Sequence, residues 1–532
     1  MSSRRPSALL ALALVPSLGC DPGRAEGMAN AAEIPAEATA TATAEQPPPK
    51  ATTVASTQPA PEAVRWPARP TGLPKGGDHI YSKSRHLWVR PQPQDSGSWL
   101  GYLSLGDAVR VAGGDAEEAF AGMGSGRYCE RWYAVEPVGF VCTGELATLD
   151  ADDPTVVELR RRAAKRGAPF PYRYAESLHA PVYLEPPSEQ AMRGKEFAFD
   201  DHLAAIEAAR RDPEAERPKQ LVGVDLSPAP PKAPALLELP PHGRPNQAII
   251  HMGSTLAYVD RFQHAGRSFL LTWDGGIVPQ DRTRPYPESD FHGVVLGVEG
   301  RLPLAFVRGA DIAMWRLHEG RLVEDGKLAR LAHVELTGVS REQDGTTYLE
   351  TRQPDRWVAE GDVTVARAVE ALPESVSRQG AEVTWVDVSI VGGTLVAYEG
   401  DRPVYATMIS PGRGGLPQRG VPTLDTASTP TGTYSVLGKF VTATMQSSSV
   451  ATLVHAEVQY TMNFSGPYAL HGAYWHDRFG EKMSGGCVNL APIDAERIFE
   501  WAEPRLPDGW HGMRTLPKSH DFGRPTMVHL HR

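Results

Sequence analysis

Residues 471–489 near the C-terminus combine two histidines, several glycines and a cysteine in the order HGAYWHDRFGEKMSGGCVN. Cys487 is the only cysteine after Cys142. A nearby imidazole can take the proton of such a thiol and produce the attacking thiolate. The two preceding glycines favour a tight turn whose backbone N–H groups can stabilise an oxyanion. The stretch therefore predicts a cysteine acyl-transfer site, with a buried structural cysteine beside a histidine as the alternative.

Length and charge limit the other possibilities. The 532 residues predict about three or four domains. The formal net charge is -10 and the pI about 6.0, so no basic field favours nucleic acid as a partner. No apolar run reaches the length of a membrane span. The sequence has no HExxH motif and no Cys/His ligand pairs, so we expect no metal and no cofactor.

The N-terminus carries the features of an export signal. Two arginines precede an apolar run over residues 8–18, which has the length of a signal-peptide core. Gly19 and Cys20 follow, and this pair resembles the bacterial lipobox, in which the cysteine is lipidated. We predict a signal peptide over residues 1–19 and export to the periplasm or cell envelope, with a membrane anchor through lipid at Cys20. Ordinary signal-peptidase cleavage is the alternative.

The next segment, residues 20–77, is rich in proline, alanine and threonine. Such a composition buries too little apolar surface to fold, so it predicts a disordered tether. Residues 78–150 contain short apolar runs with turn residues between them, which is typical of a small β-barrel. The order LWVR, GDAVRV, RWYAVE and GFVCTGEL is similar to bacterial SH3-like domains. Many of those bind peptidoglycan or pack against a catalytic domain, and we assign no binding site here.

The middle of the chain has two predicted parts. Residues 151–247 contain two helical patterns and a proline-rich stretch, and are predicted to be a helical and irregular connection. Residues 248–382 return to β-type alternation and predict a β-rich or α+β accessory module, which ends in a helical or mixed linker over residues 363–372. We assign no chemistry to this module and expect a scaffold that positions or shields the site.

The last region, residues 383–517, carries three ordered blocks. The first reads W-x-D-V-S and then L-x-x-Y-x-G-x-x-P-V-Y-x-T-x-x-S, the second is T-P-T-G-T-Y at residues 429–434, and the third is the cysteine stretch. Together they resemble the L,D-transpeptidase family with its YkuD-type catalytic domain. The resemblance implies a C-terminal β-sandwich, so the chain is expected to be mainly β and multidomain. Residues 518–532 are predicted to be a C-terminal tail.

The resemblance also implies a role for each residue of the third block. Cys487 is the expected nucleophile and His471 its base, with the backbone carbonyl of Gly472 orienting the imidazole. The backbone N–H groups of Gly486 and Cys487 are the expected oxyanion donors. Ser484 is expected either to hydrogen-bond near the nucleophile or to stabilise the turn.

Four further residues are candidates for substrate contact. Asn489 occupies the place where the family has arginine or asparagine. His476 is either a rival base or a substrate contact. The remaining two, Tyr460 and Trp475, are expected either to line the cleft or to pack in the core.

Two cysteines have no role in this scheme. An oxidising compartment and the short separation of Cys129 and Cys142 favour a disulfide between them. Two buried thiols in a pair of strands are the alternative.

The resemblance implies a peptidoglycan L,D-transpeptidase. It would transfer an acyl group from a tetrapeptide stem, with loss of the terminal D-Ala, to an amine of a neighbouring stem. Water as acceptor would make it an L,D-carboxypeptidase, and an outer-membrane protein amine would make it a protein-anchoring enzyme. A third alternative is a non-catalytic peptidoglycan-binding lipoprotein, because Gly485 stands where many members carry histidine.

Overall fold

The computed structural model describes residues 76–532, except 96, 232–233, 236, 238–244, 246–247, 448–452 and 515–522. The predicted signal peptide, Cys20 and nearly all of the predicted tether lie outside the described residues. Within that described part, no helix is long and apolar enough to cross a membrane. The described chain is mainly β, as predicted.

The first unit is built from short strands joined by tight turns. Its elements are β1 (His79–Ser82), β2 (Leu87–Val89), β3 (Gly101–Leu103), β4 (Ala108–Arg110), α1 (Ala116–Ala119), β5 (Phe120–Gly126), β6 (Cys129–Ala134), β7 (Phe140–Thr143) and β8 (Ala147–Thr148). They form the antiparallel sheets β4-β1-β8 and β5-β6-β7, while β2 and β3 pair with each other. A buried apolar cluster lies between them. The resemblance to SH3-like domains stays a prediction.

The second unit is a five-stranded sheet with three helices before or beside it. Its elements are α2 (Pro154–Arg162), β9 (Arg173–Ser177), β10 (Ala180–Pro181), α3 (Glu189–Lys195), α4 (Phe199–Arg211), β11 (Ile249–Ile250), β12 (Thr255–His264), β13 (Arg267–Thr272), β14 (Ile277–Pro279) and β15 (Thr283–Pro285). The sheet order is β14-β13-β12-β9-β15. Helices α2 and α4 confirm the two helical patterns, and α2 begins with Pro154 after the N-cap Asp153.

A second sheet of the middle region follows. Its elements are β16 (Val294–Val295), β17 (Leu304–Val307), β18 (Ile312–His318), β19 (Arg321–Leu328), β20 (His333–Gln343), β21 (Thr346–Thr351), β22 (Arg356–Ala359), β23 (Val363–Ala366) and α5 (Glu374–Ser377). Strands β17–β23 form one seven-stranded sheet. The prediction of a helical or mixed linker at residues 363–372 was wrong for its first four residues. The β-branched run Val-Thr-Val begins strand β23, which pairs with β17.

The C-terminal unit is a sandwich of two sheets. Its elements are β24 (Thr384–Ser389), β25 (Thr394–Glu399), β26 (Arg402–Met408), α6 (Thr423–Thr426), β27 (Gly432–Ser435), β28 (Gly438–Gln446), β29 (Val454–Ser465), β30 (Tyr468–Gly472), β31 (Val488–Leu490), α7 (Pro492–Trp501), β32 (Gly512–Arg514) and β33 (Met527–His531). One sheet has the order β16-β26-β25-β24-β33-β27, and the other β2-β3-β32-β28-β29-β30-β31. Apolar side chains of both sheets and of α7 share one buried core.

Strand β33 lies in the segment that was predicted as a tail. It runs parallel to β24 and antiparallel to β27, and so occupies an inner position of the first sheet. Val528 and Leu530 point into the core with almost no exposed surface. A five-residue alternation after a polar stretch gives only a weak strand signal, because its partners lie about 90 and 140 residues upstream in the chain.

The second sheet of the sandwich continues into the first unit of the chain. Strand β3 pairs with β32 through Gly101 opposite Met513 and Tyr102 opposite Gly512. A Cβ atom on Gly101 would lie 2.3 Å from the ring of Trp510, so this approach requires glycine. Trp510 itself is fully buried in the apolar cluster of the first unit. The first unit and the C-terminal sandwich therefore share a sheet and part of a core.

A buried polar network fixes the same junction. Asp107 of the first unit accepts a hydrogen bond from His511 Nδ1 at 3.0 Å, and His511 Nε2 lies 2.8 Å from Thr442 Oγ1. Thr442 donates in turn to Glu457 Oε2 at 2.6 Å on β29. All four side chains are buried. Because each polar group has a partner, the network holds β28 and β29 in one position relative to the first unit.

Candidate active site

The predicted base lies on β30, and the predicted nucleophile directly precedes the parallel neighbouring strand β31. Strand β30 ends with His471 and Gly472, and β31 begins directly after Cys487. The register places Leu470 beside Val488 and His471 beside Asn489. Cys487 is buried and forms no disulfide, and its Sγ donates to the carbonyl of Pro467 at 3.8 Å. The β30–β31 pairing therefore places Cys487 two register positions from His471, although the two residues are 16 positions apart in the sequence.

His471 is held in the form that a general base needs. Its Nδ1 donates to the backbone carbonyl of Gly472 at 3.0 Å, so the Nε2 lone pair is left to accept a proton. The ring is 3% exposed. Burial lowers the pKa of His471 from 6.5 to about 4. The imidazole is consequently neutral at pH 7 and available as a proton acceptor.

The loop before Cys487 is closed by the hydroxyl of Ser484. Ser484 Oγ donates to the carbonyl of Cys487 at 2.5 Å and accepts from the backbone N–H of Gly486 at 3.0 Å. This geometry favours the turn-stabilising role that the sequence left open for Ser484. The Gly486 N–H is engaged by this hydrogen bond to Ser484 Oγ. It can therefore donate to an oxyanion only if it shares or gives up the bond to the hydroxyl.

Gly486 occupies a position that admits no side chain. Its φ of 130° lies outside the usual range of L-residues. A Cβ atom there would stand 2.7 Å from the Tyr468 ring and 3.0 Å from the Ser428 carbonyl oxygen. The Tyr468 hydroxyl lies 2.5 Å from Thr423 Oγ1. The nucleophile loop is thus packed tightly against β30 and the segment around Ser428.

A second segment, residues 410–429, supports the loop from the other side. The backbone N–H groups of Met483 and Ser484 both donate to the carbonyl of Pro411, at 3.0 and 3.1 Å. Gly412 N–H donates to Thr429 Oγ1 at 2.8 Å, and Thr429 is fully buried. Thr429 begins the T-P-T-G-T-Y motif, and strand β27 begins at its glycine. The motif therefore fixes the segment on which the cysteine loop rests.

The other two imidazoles near His471 surround Trp475. The His455 ring stacks on the Trp475 ring at 4.3 Å, and the His471 and Trp475 centroids are 5.7 Å apart. His476 Nε2 lies 3.0 Å from Asn489 Nδ2. Burial lowers the pKa of His455 and of His476 to about 4 in each case. Trp475 and Asn489 thus lie in the surroundings of His471, together with His476.

Tyr460 does not lie in a cleft. Its side chain is fully buried in the sandwich core, and its hydroxyl donates to the carbonyl of Ala168 at 2.7 Å. The φ of 51° at Tyr460 marks an irregularity in β29. The ring lies 5.3 Å from that of Phe499 on α7. This burial favours the core-packing alternative for Tyr460 over a substrate contact.

The other predicted cysteine pair lies in the first unit. Cys129 on β6 and Cys142 on β7 form a disulfide within the sheet β5-β6-β7. Among the described residues there is no group of three or more His, Cys, Asp or Glu side chains that could hold a metal ion.

Two residues at the site had no signal in the sequence. His455 lies 16 residues before His471 on a different strand, and Gln459 packs over the α-carbon of Gly472. Both polar atoms of the fully buried Gln459 carboxamide lack a hydrogen-bond partner among the described residues. Positive φ values at Glu457 and Tyr460 interrupt the regular alternation of β29 in this region, and no local sequence pattern reports them.

Comparisons with known proteins concern the C-terminal part of the chain. The model of a protein family described as the YkuD L,D-transpeptidase catalytic domain matches residues 383–509. No curated protein matches the chain. Among solved structures, an L,D-transpeptidase from Stackebrandtia nassauensis shares 19% identity, with 29% of this chain and 57% of that chain covered and a TM-score of 0.19. One from Xylanimonas cellulosilytica shares 20% identity, with 31% and 65% covered and a TM-score of 0.20.

A third solved structure, the catalytic domain of an Enterococcus faecium L,D-transpeptidase, shares 19% identity, with 28% of this chain and 98% of that chain covered and a TM-score of 0.20. The chain spans less than two thirds of the length of the first two structures. Residues 383–509 thus match the YkuD-type L,D-transpeptidase catalytic domain, in agreement with the family resemblance of the sequence.

Proposed function

We propose that the protein is a peptidoglycan L,D-transpeptidase that uses Cys487 as a covalent nucleophile. The observation that carries the proposal is the state of His471, which is buried, neutral and aligned by the Gly472 carbonyl on the strand beside the cysteine. A neutral imidazole near a thiol can accept the thiol proton and so produce the attacking thiolate.

The first half-reaction forms a thioester. His471 Nε2 takes the thiol proton, and Sγ attacks the carbonyl between residues three and four of a tetrapeptide stem. The backbone N–H of Cys487 is the principal donor to the oxyanion, because the Gly486 N–H is held by Ser484. The C–N bond then breaks, His471 returns the proton to the leaving amine, and D-Ala departs.

The second half-reaction regenerates the thiol. An amine of a neighbouring stem attacks the thioester and gives its proton to His471. The C–S bond breaks, the new amide forms a cross-link, and the proton passes from His471 to the sulfur of Cys487. Export and a lipid anchor at Cys20 belong to the same proposal, because they would place the enzyme beside its substrate in the envelope.

The test is a product analysis of the purified full chain with a disaccharide-tetrapeptide, followed by mass spectrometry. We expect a cross-linked dimer that has lost one D-Ala, and none from Cys487→Ala. His471→Gln should lose most of the activity, whereas the matched variant His476→Gln should keep it. Tripeptide alone would replace the proposal with an L,D-carboxypeptidase, and the absence of any product would refute the enzymatic assignment.

A further inference from the structure

The side chain of Asn489 lies beside the proposed base. Asn489 on β31 is directly opposite His471 on β30, and residues paired in this way project their side chains from the same face of a sheet. The backbone of Asn489 is already occupied. Its N–H donates to the Ser410 carbonyl at 3.0 Å, and its carbonyl accepts from the Ser410 N–H at 2.9 Å. The carboxamide is therefore the group of Asn489 that is left to act on a ligand.

His476 determines which way this carboxamide points. The backbone N–H of Arg478 donates to His476 Nδ1 at 3.2 Å, so Nδ1 is an acceptor. Burial lowers the pKa of His476 to about 4, so the ring is neutral at pH 7 and its single proton is on Nε2. The carboxamide atom 3.0 Å from Nε2 is placed as Nδ2, but only an oxygen can accept from the Nε2–H. A half-turn of the amide brings Oδ1 to Nε2 and puts the amide nitrogen in the opposite position.

That opposite position is buried and has no partner. Asn489 is 1% exposed, and the carboxamide atom that faces away from His476 makes no hydrogen bond within the described part of the chain. Nearly all buried polar atoms of folded proteins have a partner. An unpartnered amide N–H next to the proposed base therefore points to a ligand atom as its acceptor.

The loop that carries His476 is fixed by its neighbours. Arg330 of the middle region donates through Nη1 to Asp477 Oδ2 at 2.7 Å and through Nη2 to the Asp477 carbonyl at 2.6 Å. On the other side, Ser410 Oγ donates to the Arg478 carbonyl at 3.0 Å. His476 is thus held between two anchored residues, and its Nε2–H keeps one direction.

The proposed reaction needs a donor of this kind. Oxyanion holes combine preorganised N–H donors, and asparagine side chains serve among them. Here the Gly486 N–H is held by Ser484 Oγ at 3.0 Å, which leaves the Cys487 N–H as the principal backbone donor. His471 has to reach Cys487 Sγ to take its proton. The face that carries His471 and Asn489 therefore borders the reacting carbonyl.

We propose that the Asn489 amide N–H is the second donor to the oxyanion, and that His476 is the positioning residue that holds it there through its Nε2–H. The inference rests on the proposed function and deepens it. Both half-reactions pass through a tetrahedral intermediate with the negative charge on the same oxygen, so one donor serves both. Asn489 transfers no proton, and the proton steps remain those of His471.

The experiment measures kcat and KM separately for loss of D-Ala from the disaccharide-tetrapeptide by the purified full chain. Asn489→Ala should lower kcat by about 10²–10³-fold with little change in KM, because the donor acts on the transition state. His476→Ala should lower kcat by about tenfold or more. His476→Gln should keep it, because the glutamine amide can present an N–H in the place of Nε2. Asn463→Ala is the matched control, since its buried Oδ1 also lacks a partner among the described residues, and it should leave kcat unchanged.

The outcomes separate this inference from the proposed function. An active parent with an unchanged kcat in Asn489→Ala would overturn the oxyanion role alone. A raised KM with an unchanged kcat would overturn it too, and would make Asn489 a contact of the bound substrate. Equal kcat losses in His476→Gln and His476→Ala would overturn the positioning role of His476. A parent without any activity would contradict the transpeptidase proposal and this inference with it.

Discussion

The low pKa of His471 predicts an unusual dependence of activity on pH. Burial lowers that pKa from 6.5 to about 4, which corresponds to about 3 kcal/mol against the charged imidazole. At pH 5.5 a histidine with a pKa of about 4 is about 97% neutral, whereas one at 6.5 would be about 9% neutral. The base should therefore remain competent in mildly acidic solution.

The assay is the pH profile of kcat/KM for loss of D-Ala from the disaccharide-tetrapeptide between pH 4 and 7. The acidic limb should fall to half of its maximum near pH 4, because the free enzyme's essential base sets that limb. Burial gives His476 a similarly low pKa, so His476→Gln is the control. It should keep the same limb. A half-maximum near pH 6.5 in the parent would refute the reasoning.

The same shift also predicts a loss of stability in acid. The folded-state pKa lies below the unfolded value, so the unfolded chain binds more protons between pH 4 and 6.5. The free energy of unfolding must then fall as the pH falls through this window. Between pH 7 and pH 5, His471 alone should account for about 2 kcal/mol of the loss. His471→Gln should remove that portion in urea unfolding, and an unchanged loss would contradict the assigned pKa.

Three further predictions concern structure around the site and in the first unit. Gly486→Ala should reduce activity by more than about tenfold and lower the free energy of unfolding by about 2 kcal/mol, because the added Cβ overlaps its neighbours and the φ is positive. The control is Gly361→Ala, because a Cβ at Gly361 meets open space. Equal effects of the two variants would contradict this prediction. Lys439→Met should lower the free energy of unfolding in urea by about 2–3 kcal/mol. Lys439 Nζ donates to two buried carbonyls at the end of α7, each at 2.6 Å, and the variant leaves both without this donor. Replacing both Cys129 and Cys142 by serine should lower the free energy of unfolding by about 3 kcal/mol, because the unfolded chain is no longer constrained by a closed loop. An unchanged urea midpoint would refute this prediction.

The sequence predicted the family match of residues 383–509 because its signals are local. The first motif block lies on three consecutive strands, β24, β25 and β26. The order of the three motif blocks pointed to His471, on β30, and to Cys487, which directly precedes the neighbouring strand β31. Each motif block spans about 26 residues or fewer.

The features that the sequence did not reveal depend on distant contacts. The pairing of β3 with β32 joins residues about 410 positions apart, and Trp510 fills a core that the first unit cannot complete alone. Tyr460 is turned into the core by an irregular backbone at its own position.

The most direct test of the central claim is to trap the acyl group on the protein. The full chain is mixed with the disaccharide-tetrapeptide, quenched in acid during turnover and digested with trypsin. The account predicts a disaccharide-tripeptide acyl group on the peptide 483–497, which contains Cys487, and its release by hydroxylamine as expected for a thioester. Product formation without an adduct on this peptide, or an adduct on another residue, would contradict the assignment of Cys487 as the nucleophile.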